Sequence, residues 1–178
     1  MRLDFKKVID NDGTFQVSVP LTWRYWVMEG NVHSFEDNED TNDSDCFQIS
    51  LKLLTEKERN KLSDALGYLP PDKKGDFDCR SHQDEVSDEG CVIKSWSTIY
   101  SNYHVYFTYA YEKVSEEKYH KVKLENKLKV INDVFASFHM LHDDERERIM
   151  TSYRFEMFLQ GLAATNFTKK SSRQQGIF

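Results

Sequence analysis

The stretch YHVYFTYAYEKVSEEKYHKVKLENKLKVINDVFASFHML, residues 103–141, decides the fold. Its first part has period two: Tyr103, Val105, Phe107, Tyr109 and Tyr111 fall on one side, His104, Tyr106, Thr108 and Ala110 on the other. That is the alternation of a β-strand. Apolar groups on both sides predict a central strand covered on both faces. Ser115 then supplies a helix N-cap, with Glu116 and Glu117 at the positive end of the dipole. Leu124, Leu128, Ile131, Phe135 and Phe138 recur at three- and four-residue steps, and Val134 and Leu141 widen the stripe. A long helix therefore lays this face on a sheet.

Upstream, Ser101-Asn102 is a two-residue connection from a strand-like run over Cys91 to Tyr100. Counting outward from that turn sets Tyr100 against Tyr103 and Ile99 against His104. Earlier still, Phe47, Ile49, Leu51 and Leu53 alternate with polar residues as a half-buried strand. Thr55 with Glu58 forms a capping box for a helix that runs to about Leu66, before Gly67. Pro70-Pro71 and Lys73 to Asp76 read as a polar loop. At the start, Asp12-Gly13 marks a turn, and Phe15, Val17 and Val19 put three apolar side chains on one sheet face. Trp23 to Val27 and Val32 to Phe35 follow as two short, edge-like strands. Glu36 to Asp45 is almost wholly polar, a solvated loop. Past Asp143 or Asp144 a second helix carries Ile149, Met150, Tyr153, Met157, Phe158 and Leu162 as its apolar residues, and 169–178 reads as a frayed tail.

Strands, a short helix, hairpin-paired strands and then helices describe an α+β domain with a mostly antiparallel sheet flanked by helices. The expected organisation is one domain over 1–142, a C-terminal helix over 143–168 packed on it or on a dimer mate, and a flexible tail over 169–178.

Composition excludes several classes. The 178 residues carry a net charge of -6 and 30% charged residues, which argues against a duplex nucleic-acid binder. No window approaches the ~18 apolar residues of a spanning helix, and Met1 to Phe15 has no signal-peptide pattern. A cytoplasmic protein with no membrane association is expected. Three cysteines, Cys46, Cys79 and Cys91, are an odd count that predicts reduced thiols.

Chemistry-bearing motifs are sparse. Cys79-x-x-His82 with Cys91 offers an incomplete zinc shell, and His139 with His142 lies at a helix end where the dipole accounts for both. The acidic loop lacks the Gly and the closing Glu of a calcium hand. No metal, cofactor or catalytic residue is assigned. Cys91 and His104 fail as a nucleophile and base because the hairpin register holds them apart. What stands out is an excess of aromatics, which serve as core or as interface anchors.

The segment Phe15 to Val19 with Pro20 and Trp23, the strand Phe47 to Leu53, and the aromatic strand leading into the long helix with its Ser137-Phe138 pair resemble the Mog1/PsbP-like fold. The likeness covers roughly Phe15 to Leu141 and extends to uncharacterised Bacteroidetes proteins with a helical C-terminal extension. It implies an α/β/α sandwich and a binding or assembly role, and it brings no catalytic residue. The expected function is a non-catalytic protein-interaction module, an immunity or assembly factor with a basic protein partner. Trp23, Trp26, Asp37, Glu39, Asp40 and Asp43 form the expected surface. The alternative is a small-ligand binder or hydrolase in a cleft between sheet and C-terminal helix, near His139, His142 and Tyr153. Homodimerisation through Ile149 to Leu162 is a further expectation.

Overall fold

The computed structural model describes residues 4–38, 45–74, 77–87, 90–112 and 118–152. Ser115, Glu39, Asp40, Asp43, Tyr153 and the helix and tail expected beyond 152 lie outside them. The chain divides into two compact units: residues 1–8 with 16–139, and residues 9–15 with 140–178.

The first unit is built on a large antiparallel sheet. Its strands are β3 (Trp23–Met28), β4 (Val32–Asp37), β5 (Cys46–Leu53), β6 (Pro71–Lys74), β7 (Phe77–Ser81), β8 (Glu85–Val86), β9 (Cys91–Tyr100) and β10 (Tyr103–Glu112). They run in the order β3-β4-β5-β10-β9-β7-β6, with β8 also paired to β9. β10 is central, as its pattern predicts. Tyr100 opposes Tyr103, Ile99 opposes His104, and Cys91 falls opposite Glu112, far from His104. Ser101 takes the left-handed conformation (φ 54°) that so tight a turn requires.

Two expectations are corrected here, and one strand is added. The polar connection after Pro70 is a hairpin of β6 and β7. Its charges and proline are tolerated because β6 is an edge strand, where missing donors and solvated side chains cost little. β4 is an internal strand rather than an edge piece, lying between β3 and β5. Lastly, β1 (Phe5–Ile9) carries no clean alternation and was not foreseen; with β2 (Phe15–Pro20) and β11 (His139–Met140) it makes a three-stranded sheet.

Residues directly opposite on paired strands share a face. One row is Tyr25, Phe35, Phe47 and Tyr109; the next is Val27, His33, Ile49, Phe107 and Trp96. This inner face carries the helix α2 (Lys118–Ser137). Phe135, fully buried, sits with its ring centroid 4.2 Å from Phe107, 5.2 Å from Trp96 and 5.6 Å from Phe47. Phe138 adds an edge-on contact to Phe107 at 5.1 Å. The helix ends at Ser137 instead of continuing to Leu141. The Ser137 hydroxyl accepts from the Ser18 amide at 2.8 Å and lies within donating distance of the Ser18 and Val134 carbonyls. A tertiary contact to β2 thus stops a run that propensity alone would extend.

The other face of β10 is not covered to the same degree. Val105, Phe107, Tyr109 and Tyr111 are buried, whereas His104, Tyr106, Thr108 and Ala110 are only half-buried. The helix α1 (Glu56–Gly67) lies against β9 and buries only Leu66. Its capping box forms as predicted: Glu58 N donates to Thr55 Oγ1, and Thr55 N donates to Glu58 Oε2 at 2.9 Å.

In the second unit, the buried Asp10 carboxylate accepts from the amides of Thr14 (2.6 Å) and Phe15 (2.8 Å), which closes the turn at Gly13. A Cβ at Gly13 would lie 3.0 Å from Met150 Cγ, and its φ is +65°, so both space and conformation call for glycine. Leu141 N donates to Thr14 O, and residues 143–152 are helical.

Candidate functional site

Beneath α2, at the β3–β4 end of the inner face, lies a cleft of about 350 Å3. Trp23 opens β3 and stands opposite Asp37 at the end of β4, so the strand register brings these two onto one face. Trp23, Phe35, Tyr109 and Ile131 form an apolar floor. Around it stand four charges: Asp37 and Asp45 from the strand side, Lys123 and Lys127 from α2. Lysines four apart on a helix share one face. Lys127 Nζ pairs with Asp45 Oδ2, which also accepts from the Tyr109 hydroxyl at 3.3 Å.

Trp26 points to the opposite face of the sheet from Trp23, since the two are three residues apart on one strand. It lies half-buried opposite Ser34. On the same face Met28 is 47% exposed at the tip of the hairpin, followed by exposed Glu29, while Val27, between Trp26 and Met28, is 40% exposed on the inner side. Ser34 Oγ donates to Met28 Sδ at 3.1 Å and Gln48 Nε2 to Ser34 Oγ at 3.2 Å, so this surface is held by a polar row beneath it. The tryptophans and Asp37 thus belong to two places: Trp23 and Asp37 to the cleft, Trp26 to the outer tip of β3.

The outer face also brings together two histidines that the sequence left apart. Ser97 Oγ lies 2.7 Å from His82 Nε2 and 3.2 Å from His104 Nε2, with Tyr106 edge-on to His82. Burial pushes the His104 imidazole below its ordinary pKa, and the neighbouring His82 and Lys52 add to the shift. Ser97 is 1% exposed in the middle of β9. The hydroxyl therefore serves as a bridge between the rings, out of reach of a substrate. Cys79 is buried on β7, and among the described residues no three His, Cys, Asp or Glu side chains gather as a metal site. Burial, with the Glu36 carboxylate, pushes the Cys46 thiol up from its ordinary value. His139 and His142 fall in different units.

Tyr109, Lys123 and Lys127 were not expected at a site, and Asp45 was expected only as the end of the acidic loop. Tyr109 reads as core and Asp45 as loop, and the lysines read as the solvated side of an amphipathic helix. The only signal was their position beside Val130 and Ile131, where the helix stripe meets its polar flank.

The architecture is α+β with mostly antiparallel sheet. A crystal structure from Bacteroides thetaiotaomicron VPI-5482 superposes on 79% of this chain with a TM-score of 0.59 at 16% identity. The chain spans 50% of that protein's length. Two further structures match. Cyanobacterial PsbP from Synechocystis sp. PCC 6803 has a TM-score of 0.42 and 12% identity over 79% of this chain and 95% of its own. The Ran-binding protein Mog1p from Saccharomyces cerevisiae has a TM-score of 0.45 and 10% identity, over 78% and 96%. No family model and no curated protein matches the sequence. Among the described residues no helix is long and apolar enough to cross a membrane.

Proposed function

We propose that this chain is a non-catalytic protein-interaction module of the immunity or assembly-factor kind, which docks a basic protein partner at the outer tip of the β3–β4 hairpin. The observation that carries this reading is the exposure of Met28 beside half-buried Trp26 on the outer face of an edge strand. An edge strand with apolar side chains is a natural docking element unless it is blunted. Trp26 buries a large rigid ring at low entropic cost, and Met28 adapts its flexible side chain to an irregular surface. Glu29 follows Met28 at the tip and Glu36 lies opposite Arg24 toward the other end of the hairpin, and Glu39, Asp40 and Asp43 continue the acidic run in the sequence. These charges would speed encounter with a basic surface, while the apolar tip supplies the holding energy.

The test is capture of a stoichiometric partner from native cytosol with tagged protein, beside two variants. One is Trp26→Ala with Met28→Ser; the other neutralises Glu39, Asp40 and Asp43 to their amides. Loss of the partner in the first variant and weaker, salt-sensitive capture in the second are expected. A partner held at wild-type level by both variants, each with a wild-type circular dichroism spectrum, removes the hairpin from the interaction.

A further inference from the structure

The cleft beneath α2 lies on the opposite face of β3 from the docking surface just described, and its chemistry differs. We infer that it is a binding site for an uncharged, largely apolar carbonyl compound of small-molecule size. The ligand's body lies on Trp23, Phe35 and Ile131, and its carbonyl oxygen accepts from the Trp23 indole N–H.

Size and charge set the first limits. A volume of about 350 Å3 is at the small end of ligand sites, which run from ~300 to ~1,000 Å3. Trp23, Phe35, Tyr109 and Ile131 beneath it are between 1% and 8% exposed, so an apolar body resting there is driven out of water onto a dry floor. The four charged groups of the lining are already answered inside the protein. Lys127 Nζ pairs with Asp45 Oδ2, which also accepts from the Tyr109 hydroxyl, and Asp37 and Lys123 each have an interaction partner as well. A charged ligand would leave water with no counter-charge waiting for it. An uncharged one does not meet that penalty.

The indole selects the functional group. Trp23 and Trp96 are both nearly buried, at 8% and 6% exposure, and a buried indole N–H ordinarily finds an acceptor. Trp96 follows the rule, donating from Nε1 to Asp72 Oδ2 at 2.9 Å. Trp23 departs from it: among the described residues its Nε1 has no acceptor, and the atom is not sealed inside the protein. Since Trp23 lines the cleft, the donor it leaves open belongs to whatever occupies that space. An indole nitrogen donates and does not accept, so the ligand must bring an acceptor. With charge set aside, a carbonyl oxygen supplies it, and an apolar body attached to that carbonyl fits the floor.

The experiment is titration of the full chain, isotopically labelled with heavy nitrogen, with acetophenone, read in proton–nitrogen correlation spectra where the indole N–H resonances of Trp23, Trp26 and Trp96 stand apart from the amides. Trp23→Phe assigns its resonance by deleting it. Three analogues serve as controls: ethylbenzene, without the acceptor; benzylamine, a cation; and benzoate, an anion. A saturable downfield movement of the Trp23 resonance is expected, with those of Trp26 and Trp96 unmoved. Acetophenone should bind about fivefold more tightly than ethylbenzene, fall to the ethylbenzene level in Trp23→Phe, and exceed both charged analogues by at least about tenfold. Thermal melts check the fold of the variant, and the wild-type comparison of the four compounds decides the matter even where that variant melts early. Four outcomes overturn the inference: no saturable movement up to about 10 mM acetophenone, movement of Trp26 or Trp96 in place of Trp23, ethylbenzene as tight as acetophenone, or a charged analogue as tight as acetophenone. The Trp26→Ala, Met28→Ser variant binds acetophenone as the wild type does, so capture of a partner at the Trp26 surface stands or falls separately.

Discussion

The inner and outer faces of the large sheet are made from the same strands, yet they have opposite chemistry. On the inner face, rows of aromatic and branched side chains run from Tyr25 through Phe35 and Phe47, and from Ile49 through Phe107 to Trp96, with Phe47, Phe107 and Trp96 against Phe135 of α2. On the outer face the corresponding row is Ser34, Gln48, Thr108 and Ser95, joined side chain to side chain from Ser34 to Gln48 and from Gln48 to Thr108. Hydrophobic burial is non-directional and grows with area, whereas each hydrogen bond adds little net and costs most when broken. The inner face therefore holds the fold, and the outer face can carry recognition without endangering it.

The largest expected effect tests the inner face. Phe135→Ala removes a fully buried ring that touches Phe47, Trp96 and Phe107 and should cost about 3–5 kcal/mol in urea unfolding. A loss under about 1 kcal/mol would mean that α2 does not anchor the sheet as described.

An intermediate effect tests the outer face. Ser97→Ala deletes the hydroxyl shared by His82 and His104. The cost should be about 1 kcal/mol, at the low end for a lost buried partner, because both rings are half-exposed and can turn to water. A cost equal to that of Phe135→Ala would erase the distinction between the faces. The same cluster gives a pH signature. The folded-state pKa of His104 lies below its ordinary value, so the unfolded chain takes up the proton first. Its contribution is complete above the ordinary value of 6.5 and is lost as pH falls through the depressed folded value. His104→Gln should flatten stability against pH over that window, and an unchanged profile would place the ring in water.

The smallest effect lies away from both faces, at the start of α1. Thr55→Ala should cost about 0.5 kcal/mol at neutral pH, the low end for a lost N-cap because this one is exposed, read as a shift in the urea midpoint. Glu58 is held at a pKa of about 2, chiefly by the Thr55 amide and then by Lys52. Its stabilisation is present above the ordinary value of 4.5 and disappears as pH falls through about 2. Glu58→Gln should remove that part of the acid dependence and leave the neutral-pH fold unchanged by circular dichroism.

Much of the fold was legible because it rests on local periodicity. The β9–β10 register follows from a two-residue turn and simple counting. The Thr55 and Glu58 cap follows from spacing alone. What failed was decided by neighbours distant in sequence. The Pro71–Lys74 strand is polar and becomes a strand because β7 offers it a partner. His104, Tyr106 and Thr108 looked as buried as Val105 and Phe107, since alternation reports two faces but not what covers each.

The candidate sites were legible only in their parts. Trp23, Trp26 and Asp37 stand out as residue types, but the strand pleat sends the two tryptophans to opposite faces and makes of them a cleft wall and a docking tip. Asp45 and Lys127 are 82 residues apart in the chain and meet at the cleft mouth. By itself the sequence determined the α+β class, the central aromatic hairpin and the helix that covers it, because these depend on short-range pattern and turn chemistry. Only the tertiary structure decided which face of the sheet is dry and which charges share a cleft, because burial and electrostatic neighbourhood are set by contacts between elements that no local pattern records.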